Sequence, residues 1–150
     1  MVLPVAVSVQ SDAERRVYAG KNWPVPGGDL SFSRYSTLSQ INRSNIKSLG
    51  GAWATELGAE VSKSAMVVQD GVMYFHTQQQ VLALDGKTGK TLWAYKPTVP
   101  FNGSARGVTV AGGLVLAGLS DTSVVALRAD TGDPAWIYKG ADVAPGNGYI

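Results

Sequence analysis

The chain of 150 residues contains no cysteine and only one histidine. Without cysteine it can form neither a disulfide nor a thiolate metal site, and its redox compartment is not indicated. Any histidine-based metal site or Ser-His-Asp triad within the chain would need His76, which lies in a strand-like YFHT run and is better explained as a structural residue. These absences exclude thiolate metal sites and metal sites built from several histidines within the chain.

Charge and long apolar runs are also scarce. Charged residues make up 16% of the chain, against about 25% in typical domains. The net charge is +2 and no basic cluster extends beyond Arg15-Arg16, so no nucleic-acid partner is expected. The apolar segment 2–9 is far too short to span a bilayer and lacks the basic residues that begin a signal peptide. We treat residues 1–21 as a tail, either a signal-peptide remnant or a loosely docked first strand.

An eleven-residue pattern occurs twice. Residues 83–93 read ALDGKTGKTLW and residues 126–136 read ALRADTGDPAW, a spacing of 43 residues. A repeat at this period is typical of the four-stranded blade of a β-propeller. A small sandwich is the alternative, but a sandwich gives no reason for identical turns.

Short strand-like segments separated by glycine turns follow the same period, and helical periodicity is absent from residue 50 onward. The turns are Asp70-Gly71, Thr88-Gly89 and Gly112-Gly113, and one helical turn is expected at Asn45–Leu49 with Ser44 as its N-cap. The predicted strands are Ala52–Leu57, Ser64–Gln69, Val72–Thr77, Val81–Leu84, Thr91–Tyr95, Val108–Val110, Leu114–Ala117, Val124–Leu127 and Ala135–Tyr138.

The repeated pattern assigns physical roles. Gly89 and Gly132 can take positive φ in the turn before the last strand. Trp93 and Trp136 supply the large apolar area that fastens one blade to the next. Trp53, 40 residues before Trp93, is expected to do the same for a blade closed by another part of the chain.

The pattern A-L-x-x-x-T-G-x-x-x-W resembles the docking motif of quinoprotein dehydrogenases. The lead-in, Asn22 to Trp53, is similar to the N-terminal signature of these enzymes, with W, GGD, RYS, QIN and NI elements in order. Residues 67–77 and 105–119 match the next two family segments. The resemblance covers residues 22–150 of this chain and about the first quarter of a family enzyme.

The resemblance implies an all-β fold: about two four-stranded blades of an eight-bladed propeller after an irregular lead-in. It also implies pyrroloquinoline quinone (PQQ) on the propeller axis with Ca²⁺ beside it, and oxidation of alcohols or sugars in the periplasm. Electrons would pass to a cytochrome or ubiquinone. The alternative is a non-catalytic propeller scaffold of the cell envelope, and a small self-contained β domain is a third reading.

Two positions of the chain correspond to cofactor-contacting residues of the family. Arg106 matches an arginine that contacts the quinone, and a guanidinium fork suits adjacent oxygens. Lys63 aligns with a glutamate that hydrogen-bonds the quinone, so the charge is reversed there; the lysine could pair with a cofactor carboxylate or point to solvent. The family's vicinal cysteine pair is missing, and residues 100–104 form a shortened loop in its place.

No catalytic residue and no metal ligand of the family falls within this chain, because the resemblance puts both beyond Ile150. The chain on its own is therefore expected to be inactive. The last residues, Gly148-Tyr149-Ile150, read as the approach to a third blade. Two blades without neighbours would expose apolar faces, so the chain is expected to associate with itself or with further blades.

Overall fold

The computed structural model describes residues 19–57, 64–98 and 107–140, which fold into two four-stranded antiparallel sheets. No helix within these ranges is long and apolar enough to cross a membrane. The first sheet contains β1 (Val67–Gln69), β2 (Val72–His76), β3 (Val81–Asp85) and β4 (Thr91–Tyr95), and the second contains β5 (Thr109–Ala111), β6 (Leu114–Gly118), β7 (Val124–Arg128) and β8 (Pro134–Tyr138). Each sheet is ordered as its strands follow in sequence.

Each sheet begins with the same hairpin turn. Asp70 and Gly71 have φ values of 52° and 81°, and Gly112 and Gly113 have 56° and 75°. Two successive positive φ angles define a type I′ turn, whose twist matches that of the flanking strands. The turns fix the register, so that Gln69 pairs with Val72 in the first sheet. The predicted turns at these positions are confirmed.

The predicted all-β fold and the blades' strands are confirmed, with boundaries moved by at most three residues. The predicted strand Ala52–Leu57 is wrong, because within the described ranges it pairs with no other strand. The predicted N-cap is also wrong. A single 3₁₀ turn, Ile46–Ser48, follows Asn45 as its N-cap. The Ser44 hydroxyl instead donates to Oδ1 of Asn42 at 2.5 Å, which removes it from the helix end. The predictions for residues 1–18 and 141–150 lie outside the described residues.

The turn before the last strand is built identically in both sheets. Gly89 N donates to the Asp85 carbonyl oxygen and Gly132 N to the Arg128 carbonyl oxygen, each at 2.8 Å. The glycines have φ values of 71° and 78°, as the repeated pattern predicts. In the first sheet the Asp85 carboxylate also accepts from Thr88 N and Oγ1, both at 2.7 Å. Arg128 takes that position in the second sheet, so the backbone geometry does not require the carboxylate.

The main core lies between the two sheets. Tyr74, Val81 and Trp93 from the first sheet pack with Val115 and Val125 from the second. Trp93 donates from Nε1 to the Ala129 carbonyl oxygen at 2.9 Å, and the Tyr74 hydroxyl reaches the same oxygen at 3.3 Å. Burial raises the pKa of the Tyr74 phenol, because the uncharged form is favoured away from water.

Trp93 docks on the glycine turn of the second sheet. A Cβ atom placed on Gly132 would lie 2.6 Å from the indole of Trp93, so only glycine leaves room for the ring. The indole nitrogen bonds to the carbonyl three residues before that glycine. The predicted role of Trp93 in fastening the two sheets is confirmed.

Trp53 makes the same contact with the first sheet. A Cβ on Gly89 would lie 2.3 Å from its ring, and its Nε1 donates to the Gly86 carbonyl oxygen at 3.2 Å. Gly86 again lies three residues before the turn glycine. Trp53 therefore occupies the position that the last strand of a preceding sheet would supply, which agrees with its predicted role.

Trp136 is the third tryptophan at this docking position, after Trp53 and Trp93. Its side chain is 45% exposed, whereas Trp93 is 9% exposed. Every residue of β8 is exposed. In the described part of the chain, no glycine turn faces Trp136, so the outer face of the second sheet is open.

The docking contact predicts a difference between two glycines with the same backbone conformation. Gly132→Ala should lower the free energy of unfolding by about 2–5 kcal/mol, from positive-φ strain plus overpacking against Trp93. Gly113→Ala has nearly the same φ but open space at its Cβ position, so strain alone should cost it about 1–2 kcal/mol. Denaturant unfolding of both variants measures the difference, and equal losses would contradict docking at Gly132.

Candidate functional site

The two sheets meet at the beginnings of their first strands. Ala65 and Gly107 form a parallel bridge just before β1 and β5. Gly107 has φ 138°, and a Cβ there would lie 3.1 Å from the Ala65 carbonyl oxygen. The close approach of the two backbones therefore depends on glycine. β1 and β5 are the innermost strands, because each lies at the edge of its sheet where the two sheets converge.

The two cofactor positions suggested by sequence flank this bridge along the chain. Lys63 lies two residues before Ala65, and Arg106 lies directly before Gly107. Both residues lie outside the described part of the chain, so their side-chain contacts stay predictions. What the fold brings together is the pair of backbone segments that directly follow them.

An apolar cavity of about 220 Å³ lies on the opposite face of the first sheet, beneath the Trp53 segment. His76 is buried there, and its Nδ1 donates to the Thr77 carbonyl oxygen at 2.9 Å. This contact fixes the ring against the backbone and suits the structural role expected for it. The lining residues are Trp53, Thr55, Leu57, Ser64, Met66, Phe75, His76, Thr77 and Leu84.

The described residues do not supply a metal centre. Within residues 19–57, 64–98 and 107–140, no group of three His, Asp or Glu side chains is placed to hold an ion. The Asp85 and Asp121 carboxylates accept hydrogen bonds from turn hydroxyls of Thr88 and Ser123, which lower their pKa values. These carboxylates serve their own turns, so Ca²⁺ would need ligands from elsewhere.

The lead-in attaches to the free edge of β1, a contact that the sequence did not predict. Trp23 N donates to the Val68 carbonyl oxygen at 2.7 Å, and Val68 N donates to the Trp23 carbonyl oxygen at 2.9 Å. A backbone pair of this kind leaves no side-chain signature, so no sequence signal could have found it.

Asp29, in the GGD element of the lead-in, organises a tight turn. Its carboxylate accepts hydrogen bonds from the backbone and hydroxyl groups of Ser31 and Ser33. The Ser33 hydroxyl, then the Ser31 hydroxyl, lower the pKa of Asp29 from 3.8 to about 2, because hydrogen bonds to the charged form favour ionisation. The carboxylate holds the loop together through these four hydrogen bonds.

Two sheets of one repeat, joined by a tryptophan on a glycine turn and converging at their first strands, define a piece of a β-propeller. Residues 23–118, more than half of the chain, match the PQQ family described as glucose/ethanol/alcohol dehydrogenase, beta-propeller domain. The chain belongs to this family of quinoprotein dehydrogenases.

The chain is also similar to parts of longer proteins. The chain is 41% identical over 139 residues to the dehydrogenase XoxF of Paracoccus denitrificans, covering 84% of this chain and 23% of that protein. The crystal structure of quinohemoprotein alcohol dehydrogenase from Comamonas testosteroni matches with a TM-score of 0.73 and 33% identity, over 87% of this chain and 21% of that one. A europium-containing methanol dehydrogenase matches with a TM-score of 0.72 and 29% identity, over 87% and 25%. The chain thus spans about a fifth to a quarter of these proteins.

The Asp29 turn gives a prediction that titration can check. A depressed pKa means that the turn is stabilised above the ordinary value of 3.8 and loses that stabilisation as pH falls toward about 2. Carboxyl NMR titration should show Asp29 titrating near pH 2. Ser33→Ala should move its pKa back toward 3.8, because the largest contribution is removed. Ser36→Ala is the control, since the Ser36 hydroxyl accepts from Leu38 N and does not contact Asp29.

Proposed function

We propose that this chain is the N-terminal portion of a PQQ-dependent dehydrogenase that oxidises alcohols or sugars. The observation that carries the proposal is the Ala65–Gly107 bridge, which joins the two backbone segments that follow Lys63 and Arg106. Two positions 43 residues apart would thereby face one ligand on the propeller axis. The two solved structures named above are of an alcohol dehydrogenase and a methanol dehydrogenase, which supports an alcohol substrate over a sugar.

The quinone, when bound, accepts the electrons of the substrate, and the protein's task is to bind and orient it. We propose that Arg106 binds its oxygens through the guanidinium fork. Lys63 would pair with a cofactor carboxylate, at the position where family members have a glutamate that hydrogen-bonds the quinone. The chain has no cysteine pair to cover the quinone, which separates it from relatives that have one.

The ligands of a metal ion beside the quinone would come from outside this chain's described residues. Calcium requires several oxygen ligands, and the described residues offer no such group. Because one structural relative contains europium, we propose either Ca²⁺ or a lanthanide as the ion. The complete enzyme would act in the periplasm and reduce a cytochrome or ubiquinone.

The catalytic unit needs further blades. Trp136 is exposed on β8, while its counterpart Trp93 is covered by the next sheet. We propose that a third sheet of the same repeat covers Trp136, with a glycine turn under the ring. The relatives are about four to six times as long as the matched segment, which is enough for a closed ring. On its own, the chain would bind no metal and oxidise no substrate.

The arginine assignment is tested in the longer polypeptide that contains this chain. Arg106→Ala should weaken PQQ binding about 10-fold to 100-fold in the presence of Ca²⁺ or Eu³⁺, because a charge-assisted fork is lost. Quenching of tryptophan fluorescence by the quinone measures the affinity. Arg128→Ala is the matched control, since Arg128 is an exposed arginine at the end of β7.

If Arg106→Ala binds the quinone like the wild type, the assignment of Arg106 is wrong. If the unmodified polypeptide binds no quinone with either ion, the cofactor proposal fails, and a non-catalytic propeller scaffold becomes the better account.

The open face of β8 is tested in the 150-residue chain. Trp136→Ala should weaken self-association at least about 10-fold, because a large indole at the centre of an apolar face carries much of the binding energy. Sedimentation equilibrium measures the association constant. Ile137→Ala is the control: Ile137 is 52% exposed on the same strand, but alternation of side chains puts it on the opposite face. Equal effects of both variants would argue for non-specific association.

A further inference from the structure

The inner edge of β1 is covered by the lead-in. Val68 lies opposite Met73 in β2, and its neighbours Val67 and Gln69 lie opposite Tyr74 and Val72. The residue pair that flanks a two-residue hairpin turn exchanges hydrogen bonds, and the next pair does not. Val68 therefore directs its N–H and C=O away from β2, and both groups bond to Trp23.

A second contact lies at the far end of the same strand. The Asn22 amide donates from Nδ2 to Asp70 Oδ1 at 3.4 Å, and its Oδ1 accepts from Asp70 N at 2.8 Å. The lead-in thus follows the final residues of β1 into the hairpin turn. Ala65, at the cofactor end, lies five residues before Asp70, roughly 16 Å along an extended chain.

The second sheet has no equivalent cover among the residues described. Val110 holds the place of Val68, opposite Val115 and next to the Gly112-Gly113 turn. By the same alternation its N–H and C=O point to the inner edge of β5. The described lead-in therefore bonds to the first sheet alone, near the hairpin turn that follows β1.

The lead-in loop, residues 19–37, has its own internal supports. The indole of Trp23 packs on Gly28, where a Cβ would lie 2.9 Å from the ring and where φ is +84°. Thr37 N donates to the Ala19 carbonyl oxygen at 2.9 Å, which closes the loop, and Ala19 is buried. The Asp29 carboxylate fixes the turn between them. The loop therefore has a defined conformation that its own contacts stabilise.

We infer that the lead-in loop closes the axial channel of the complete propeller at the end opposite the quinone. The inference rests on the proposed function, because the channel exists only when further blades complete the ring. Trp23 attaches at Val68 and Asn22 attaches at Asp70 in the hairpin turn, so both attachments lie beyond Ala65 along the chain, on the strand edge that would face the axis. Closure there leaves the cofactor end as the entrance for substrate and water.

The experiment compares three variants in the longer polypeptide and in the 150-residue chain. Gly28→Ala displaces Trp23, and Asn22→Ala removes both contacts to Asp70 with little effect on packing. Gly50→Ala is the control, because a Cβ at Gly50 meets nothing within 4 Å. Hydrogen exchange of the Val68 and Val110 amides is followed by NMR or by fragment-resolved mass spectrometry, with near-ultraviolet circular dichroism as the check on the fold.

In both proteins, Gly28→Ala and Asn22→Ala should accelerate Val68 exchange about tenfold, because each variant loosens the attachment of Trp23 to β1, while Gly50→Ala has no effect. In the longer polypeptide, the Val110 amide should exchange slowly in the unmodified protein. The same two variants should make it exchange faster. If Val110 does not respond there, the loop covers β1 but closes no channel, and the inference is wrong. An unchanged Val68 amide would also overturn it.

Quinone binding is titrated on the same samples, which separates the two proposals. Absence of quinone binding with the expected exchange pattern would reject the cofactor assignment and leave the closure intact. Normal binding with unresponsive Val68 and Val110 amides would reject the closure alone. If Gly28→Ala loses its fold, Asn22→Ala carries the comparison, because Asp70 is exposed and its bonds to Asn22 lie outside the core.

Discussion

The contact of a tryptophan ring with a glycine turn is the constraint on which the structure depends. The ring needs a residue without a side chain, so the turn must be glycine. That glycine has positive φ, which sets the path of the turn and brings a carbonyl oxygen to the indole nitrogen. Because the tryptophan belongs to one sheet and the glycine to the next, neither sheet completes its core alone.

This dependence gives the sheets a fixed order, because each tryptophan docks on the glycine turn of the sheet that follows it. Trp53 covers the first sheet, Trp93 joins the two sheets, and Trp136 is exposed at the end of the series. Each sheet presents a ring on its last strand and a glycine turn before it. Trp53 already fills the first glycine turn, so a closed propeller would require the Trp53 segment to join the last sheet of the series. The open face at Trp136 is the physical reason to expect further blades.

The same geometry positions the candidate cofactor site and its opposite end. Docking of the sheets makes β1 and β5 converge, and the Gly107 backbone approaches Ala65 because it carries no Cβ. The backbone segments that follow Lys63 and Arg106 meet at this bridge, and the lead-in pairs with β1 further along the strand, at Val68. One interface therefore brings the beginnings of both inner strands together.

Much of this could be predicted from the sequence, because it resides in local patterns. The repeated turns, the roles of Gly89 and Gly132, and the docking of Trp53 and Trp93 follow from residue types at fixed spacing. The sequence could not reveal that residues 52–57 have no strand partner among the described residues, or that Trp23 pairs with Val68. Strand assignment requires a neighbour, and a backbone hydrogen bond is independent of side-chain identity. Residue pattern determined the repeating unit, whereas the tertiary structure decided which edges and faces are covered, because coverage depends on contacts between segments far apart in the chain.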